Sequence, residues 1–333
     1  MTDYRLPEHR RDYFTRLYAL NLEHGIMPGL VYLYMPALAA RYNWDNEQRL
    51  WFAFLNGLTQ NPITSLRLFQ QLPEVPPAHA ALTRFEQWFN DNWDSLQFDT
   101  DRRYQKRDTV MAIKMYAPIV AANGSQLALF KNVPFSFLWE SVRHGFYSFG
   151  RLSAFSYLEY VYLNGFGADC DNLLFEDKSG SKSHRNGMLL LLGQDQYVWD
   201  KRMPNGFDGK YPDLKKMCAW LTAQSQEFLT EFRAAYPKLT TAGNFTLESN
   251  LCTFKNHFFA RRYPGVYADM AQERIEWADA RGQQDVTAVF KELRAGLLPE
   301  WLRCECDLNR MTIKEAAAKF AETGYPYRGE HFL

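Results

Sequence analysis

Apolar residues recur every three or four positions along most of this chain of 333 residues, which is the spacing of amphipathic helices. The clearest case is DLKKMCAWLTAQSQEFLTEFRAAY at 213–236, where Asp213 is a capping residue after Pro212 and Pro237 ends the pattern. Strand signals are nearly absent. The sequence therefore predicts an all-α fold, a multi-helix globule. The same spacing predicts further helices at 8–24, 45–58, 79–92, 103–121 and 284–295.

Two stretches interrupt the helical pattern near the middle of the chain. Residues 164–186 and 199–212 are poor in helix signals, and they flank the short apolar run GMLLLLG at 187–193. The run YLEYVYL at 157–163 is β-branched and aromatic, but its neighbours favour a buried helix. Long irregular segments in a compact helical protein are usually functional or mobile. We therefore look for a site in this region first.

Composition limits the functional classes only weakly. Aromatic residues make up 16% of the chain, which suits a large core and also suits stacking on nucleic-acid bases. Lys plus Arg and Asp plus Glu are 38 each, so net charge gives no argument for a polyanionic partner. Basic residues do cluster locally, and such clusters either follow a phosphate backbone or are separate solvated charges. They lie at 5–16, 101–107, 178–185 and 260–262.

The cysteines and the apolar runs predict a cytoplasmic protein with no membrane partner. The five cysteines are irregularly spaced, and the polar start MTDYRLPEHRR does not resemble a signal peptide. The pair Cys304 and Cys306 has no second pair at zinc-finger spacing, so we predict no metal there. No apolar run approaches the ~20 residues that span a bilayer.

The segment DKSGSKSHRNGM at 177–188 is the strongest candidate for anion binding. Phosphate loops, nucleophile elbows, zinc-protease helices and kinase motifs do not occur in the sequence. In this segment Lys182, His184 and Arg185 can donate to phosphate oxygens, and we expect Asn186 with Gly187 to begin a helix whose free amides point the same way. A merely solvated loop is the alternative.

Two further candidates lie before this segment. Arg151, in FGRLS, precedes the run 157–163 and is expected near a helix N-terminus, where a guanidinium adds to amides that already favour anions; an ordinary surface arginine is the alternative. Asp169 and Asp171, in ADCD, are close enough to act as a general base or to hold Mg²⁺. Helix capping is the alternative for one of them.

The last candidate is the segment LESNLCTFKNHFFARR at 247–262. Glu248, Cys252 and Lys255 are separated by four and three residues, so they lie on one helix face together with Leu251. A carboxylate and an ammonium on this apolar stripe are costly to bury unless they are paired or used. A simple surface ion pair is the alternative.

With FGRLS, ADCD, SKSHRNGM and ESNLCTFK in this order, the chain resembles the amino acid:DNA transferases. These phage-encoded enzymes are also described as α-glutamyl/putrescinyl-thymine pyrophosphorylases. The resemblance implies a helical fold distantly similar to helix-hairpin-helix DNA glycosylases. It also implies a substrate, DNA that carries pyrophosphorylated 5-hydroxymethyluracil, in which the amine of an amino acid or polyamine replaces pyrophosphate.

The resemblance also implies roles for individual residues. Pyrophosphate leaves when its charge is neutralised, which suits the cations of 182–185 and Arg151, and a carboxylate such as Glu248, Asp169 or Asp171 takes the proton of the amine. No cofactor is implied, with Mg²⁺ left open at the paired aspartates. The family's Arg-Asn-Gly pattern falls on Arg185, Asn186 and Gly187. Its Glu-x-x-Leu-Cys-x-x-Lys pattern falls on Glu248, Leu251, Cys252 and Lys255, which adds Lys255 to the catalytic candidates.

The final part of the chain has no counterpart in this resemblance. We therefore predict a helical catalytic domain at 1–280 and a C-terminal helical extension at 281–333 that packs on it. Two other functions stay open at this point. The basic clusters and aromatic residues also fit a non-catalytic helical nucleic-acid-binding protein, and the implied fold fits a DNA glycosylase, although its hairpin and catalytic Lys and Asp are not apparent.

Overall fold

The computed structural model describes residues 2–100, 102–167, 169–176, 182–198, 213–259, 261–303 and 311–325. No strand occurs among these residues, which confirms the predicted all-α class, and none of their helices is long and apolar enough to cross a membrane. The α-helices are α1 (Pro7–His24), α2 (Val31–Arg41), α3 (Asn46–Thr59), α4 (Pro62–Gln71), α5 (Thr83–Asp91), α6 (Arg102–Gln105), α7 (Thr109–Asn123), α8 (Gln126–Phe130), α9 (Phe135–Gly145), α10 (Arg151–Leu163), α11 (Lys182–Leu191), α12 (Leu214–Ala235), α13 (Asn244–Asn256), α14 (Val266–Asp279), α15 (Gln284–Leu297) and α16 (Ile313–Thr323). Short 3-10 turns lie at Pro28–Leu30, Trp93–Ser95, Lys106–Asp108, Asp195–Tyr197, His257–Phe259 and Glu300–Leu302.

Most helices follow the apolar spacing of the sequence. The helix predicted at 213–236 is α12, and the Asp213 carboxylate accepts a hydrogen bond from the Lys216 amide at 3.1 Å, as a capping residue does. The pattern at 103–121 is divided because the turn Lys106–Asp108 separates α6 from α7. The ambiguous run 157–163 lies in α10 and is mostly buried there, which confirms the helical interpretation.

The chain forms two compact units, and each of them combines segments from before and after residue 280. Unit A contains the described residues of Met1–Pro28, Cys170–Met270 and Leu298–Leu333, and unit B contains those of Gly29–Asp169 and Ala271–Leu297. The segment 281–297 therefore packs within unit B, while α16 belongs to unit A. Whether 1–280 folds as a domain by itself stays a prediction.

Unit B has an aromatic core and buried cations. The rings of Phe54 on α3 and Tyr116 on α7 stack with centroids 3.8 Å apart. Arg102, from the predicted basic cluster at 101–107, is buried and its Nε donates to the Leu58 carbonyl at 2.9 Å. This arginine therefore donates to a backbone carbonyl inside the fold and does not belong to a phosphate-binding surface.

Unit A packs α1 against α11 and α13. On α1, the Tyr18 hydroxyl lies 2.6 Å from the Thr246 hydroxyl of α13, and the Asn21 amide donates to the Asn250 side-chain oxygen at 2.6 Å. Arg10, from the basic cluster at 5–16, is buried and donates to the Leu190 carbonyl of α11 at 3.1 Å. These contacts hold the two helices that carry the Arg-Asn-Gly and Glu-x-x-Leu-Cys-x-x-Lys patterns.

Candidate active site

Helices α11 and α13 approach each other at backbone distance. A Cβ atom built on Gly187 of α11 would lie 2.2 Å from the Leu251 carbonyl oxygen of α13 and 2.8 Å from its carbonyl carbon. Real Cβ atoms almost never come that close to another heavy atom, so only glycine fits at this position. The two sequence patterns therefore meet at one interface, and Gly187 is the residue that permits it.

This interface brings an imidazole and a carboxylate together in the interior. His184 of α11 is 0% exposed and Glu248 of α13 is 4% exposed, and His184 Nδ1 lies 3.1 Å from Glu248 Oε1. The Cys252 thiol, one helical turn after Glu248, completes a group of three donor atoms that all lie within 4.8 Å of one another. Such a group can exchange protons or hold a metal ion.

A second layer of contacts orients the α11 side of the site. The ring of Phe175 stacks on the His184 imidazole, with centroids 5.2 Å apart and 20° between the planes. Arg185 Nη1 donates to the Phe175 carbonyl at 3.0 Å, and the Cys218 thiol donates to the same oxygen at 3.4 Å. Burial raises the pKa of the Cys218 thiol, so this cysteine is a neutral packing residue at neutral pH.

The charged face predicted on α13 is buried. Lys255 is 7% exposed, and its Nζ lies 5.4 Å from the centroid of the Phe259 ring. Together with the burial of Glu248, this excludes the alternative of a simple surface ion pair. Below this face, the Asn250 amide donates to the sulfur of Met27 at 3.0 Å, so the interior side of α13 is also held by polar contacts.

The expected anion-binding loop has a different local structure. The helix begins at Lys182, so the prediction that Asn186 and Gly187 begin it is wrong, and their amides lie within α11. Lys182 is exposed, whereas His184 and Asn186 are fully buried and Arg185 is 7% exposed. His184 therefore does not stand as a phosphate donor on an open loop. Residues 177–181 lie outside the described residues.

The other candidates were Arg151, Asp169, Asp171 and the pair of cysteines near the C-terminal end. Arg151 is the first residue of α10, as expected, and belongs to unit B, where its guanidinium is 5.8 Å from the Phe155 ring centroid. Asp169 is partly buried at the end of a segment of unit B, and Asp171 is exposed in unit A. The pair Cys304 and Cys306 lies outside the described residues.

Sequence reasoning named Cys252 only as part of the helix face of Glu248, and it missed Phe175 and Cys218. The spacing of four residues between Glu248 and Cys252 already placed the thiol beside the carboxylate, so this donor was within reach of the pattern. Phe175 and Cys218 gave no comparable signal, because their role depends on chain segments that meet His184 and Arg185 only in the folded unit. The site of unit A is therefore larger than the two sequence patterns indicate.

Comparisons with known proteins identify the family of the chain. A family model described as amino acid:DNA transferase matches residues 32–263, a range that contains α11 and α13. A protein named Serinyltransferase, from Salmonella phage ViI, is 28% identical over 275 residues, which are 78% of this chain and 66% of that relative, so the chain spans just under two thirds of the relative's length. No solved structure matches significantly, and the likeness to glycosylases stays a prediction. Because the family model covers more than half of its length, the chain belongs to the amino acid:DNA transferase family.

Proposed function

We propose that the protein transfers an amino acid to a modified thymine base in DNA, and that the α11–α13 interface of unit A is its reaction centre. The observation that carries this proposal is the buried pair His184 and Glu248, which lies inside the range matched by the family. Burying an ionisable pair in this way costs free energy. Buried ionisable groups of this kind are commonly found, despite the cost, at sites where they take part in a reaction.

The reaction that we propose is a substitution at the methylene carbon of the base. The amine nitrogen forms a bond to this carbon, the bond from carbon to the pyrophosphate oxygen breaks, and pyrophosphate leaves with the electron pair. The pyrimidine ring helps by supplying electrons to the carbon. One proton of the attacking amine must be removed, because a neutral amine is the nucleophile.

Unit A has candidate groups that act on the attacking amine and candidate groups that act on the leaving pyrophosphate. The carboxylate of Glu248, beside His184, is the proposed acceptor of the amine proton; a positioned general base contributes about 10²–10⁴-fold to a rate. Lys182 and Arg185, in the first turn of α11, are proposed to neutralise the departing pyrophosphate together with the backbone amides of that turn. Arg151 and the carboxylates of Asp169 and Asp171 remain proposals for additional cationic and basic groups.

The base must also be accessible to this centre. A methylene carbon attached to a paired base is enclosed by the duplex, so we propose that the nucleotide leaves the stack before it reacts. Aromatic residues are abundant in the chain, and stacking on one of them is the proposed support for the extruded base.

The test uses DNA that contains 5-pyrophosphoryloxymethyl-deoxyuridine, incubated with the protein and one amine at a time. We expect a new nucleoside in digests analysed by mass spectrometry, with one pyrophosphate released per product; serine is the first amine to test, because the relative is named Serinyltransferase, and putrescine represents the polyamines. Equal binding of plain and modified DNA without product supports the nucleic-acid-binding alternative, and abasic sites support a glycosylase.

A variant of Arg185 tests whether its positive charge acts on the leaving pyrophosphate. Arg185→Ala should slow pyrophosphate release at least about tenfold, because the charge of the leaving group is no longer neutralised. The matched control is Arg281→Ala, which removes a guanidinium that is exposed and stacks on Trp277 at 3.8 Å. Unchanged turnover in Arg185→Ala contradicts a role for this residue in the reaction.

A further inference from the structure

We infer that His184, Glu248 and Cys252 form a binding site for one divalent transition-metal ion, with zinc as the expected metal. The three side chains offer an imidazole nitrogen, a carboxylate oxygen and a thiol sulfur within 4.8 Å of one another. Zinc is bound by these three donor types, and a site with three protein ligands keeps a fourth position open for a substrate or water.

The strongest evidence is the state of the His184 ring. His184 is completely buried, and neither of its nitrogens has a hydrogen-bond partner within the described part of the chain, although Nδ1 faces Glu248. Leaving a buried polar atom without a hydrogen bond costs about 1–3 kcal/mol. A metal ion bound by Nδ1 removes this cost at Nδ1, since coordination satisfies the lone pair of that nitrogen.

The distances suit one tetrahedral ion. Zinc bonds to nitrogen and oxygen are about 2.0–2.1 Å long, so two such ligands in a tetrahedron are about 3.3 Å apart. The separation of 3.1 Å between His184 Nδ1 and Glu248 Oε1 is close to this value. The helical step of four residues brings Cys252 to the same side of α13, and its sulfur lies within 4.8 Å of both other donor atoms.

The surrounding structure holds the donors in place and leaves a way in. Two donors are on α13 and one is on α11, and the backbone contact at Gly187 fixes the distance between the helices. Stacking on Phe175 fixes the plane of the His184 ring. Cys252 is only partly buried, so the side of the site that it borders can admit an ion and a fourth ligand.

The ion also has a chemical use, although only this use rests on the proposed function. An amino acid or other amine that takes the fourth position loses a proton more readily, because a bound cation favours the deprotonated form of its ligands. The ion and a proton taken up by the Glu248 carboxylate would occupy the same oxygen atoms, so metal binding and proton uptake at Glu248 are alternatives. The existence of the site can therefore be tested without measuring any transfer.

The test is titration of the chelator-treated full chain with Co²⁺, followed by visible and near-ultraviolet absorption. We expect one Co²⁺ per chain, a tetrahedral spectrum, a charge-transfer band from the thiolate, and loss of the spectrum when Zn²⁺ is added. Cys252→Ser should abolish the charge-transfer band and weaken binding by at least about tenfold. Cys170→Ser, which changes a buried thiol of the same unit that takes no part in the contacts of the three donors described above, should keep both.

His184→Gln distinguishes a built site from a cysteine that binds cobalt by itself. It should weaken Co²⁺ binding by at least about tenfold, and circular dichroism shows whether the variant stays folded. Binding that is equally tight in His184→Gln, a band that survives Cys252→Ser, or a wild-type chain that binds no Co²⁺ overturns the inference. Because none of these measurements uses turnover, failure of the metal site and failure of the proposed function give different results.

Discussion

Replacing Gly187 with alanine should force helices α11 and α13 apart. The added Cβ would lie 2.2 Å from the Leu251 carbonyl oxygen, and an ordinary contact begins at 3.4 Å, so the helices must separate locally by about 1.2 Å. Both sides of the contact are helical backbone, so no side-chain rotation relieves it. Interiors are close-packed, and such a shift disturbs every neighbour of the interface.

The magnitude follows from two opposing effects. Overpacking a core usually costs about 1–3 kcal/mol, and occasionally more, and the rigid backbone contact puts Gly187→Ala at the upper end. Alanine gains about 1 kcal/mol over glycine inside a helix. We therefore expect a net loss of about 2 kcal/mol in the free energy of unfolding. The same shift moves His184 away from Glu248, and a misplacement of about 1 Å can lower a rate about 10²-fold.

Urea unfolding followed by tryptophan fluorescence measures the loss, with Gly296→Ala as the matched control. Gly296 is an exposed residue of α15, and a Cβ built on it meets no atom within 4 Å, so that variant should be stabilised by up to about 1 kcal/mol. If Gly187→Ala unfolds at the wild-type urea concentration and keeps the wild-type rate, the close approach of α11 and α13 is not as described.

Two further predictions concern groups outside the site. Burial lowers the pKa of His257 from 6.5 to about 3, so the unfolded chain binds more protons than the folded chain between these two pH values. The contribution of His257 to the free energy of unfolding is therefore complete above pH 6.5 and falls as the pH drops. At pH 5 the free energy of unfolding should be lower by about 2 kcal/mol. His257→Phe should remove this part of the pH dependence in urea unfolding, although it also removes the contact of 2.8 Å with Tyr13. In unit B, Arg274 Nε donates to Asp99 at 2.6 Å, and burial raises the pKa of Asp99. Arg274→Met should therefore cost about 3 kcal/mol by leaving a buried carboxylate without its cation, whereas Arg281→Met should cost less than about 0.5 kcal/mol; equal effects on thermal unfolding contradict this reasoning.

The helices were largely predictable because their periodicity is a local property. Asp213 and the prolines around 213–236 gave α12 to within two residues, and the apolar stripe with Glu248 and Lys255 identified a face that proved to be buried. The resemblance to amino acid:DNA transferases is confirmed by the family match. These inferences needed only spacing, capping and the order of short motifs.

The start of α11 was not predictable for a physical reason. Ser, His, Asn and Gly are weak helix formers, so the sequence around Lys182 favoured a loop, and packing against α13 overrode that preference. The requirement for glycine at Gly187 depends on a carbonyl group 64 residues later in the chain, which no local pattern contains. For the same reason the burial of His184 and the contacts of Phe175 could be found only in the folded unit.

The most direct measurement of the central claim is the single-turnover rate of pyrophosphate release from modified DNA by Glu248→Gln. This variant keeps the shape of the side chain but loses its charge and its ability to accept a proton, so we predict a rate at least about 100-fold lower. Glu227→Gln, which changes an exposed carboxylate that accepts from Gln224 at 2.9 Å, should react at the wild-type rate. A folded Glu248→Gln protein that also reacts at the wild-type rate would show that the α11–α13 interface is not the reaction centre.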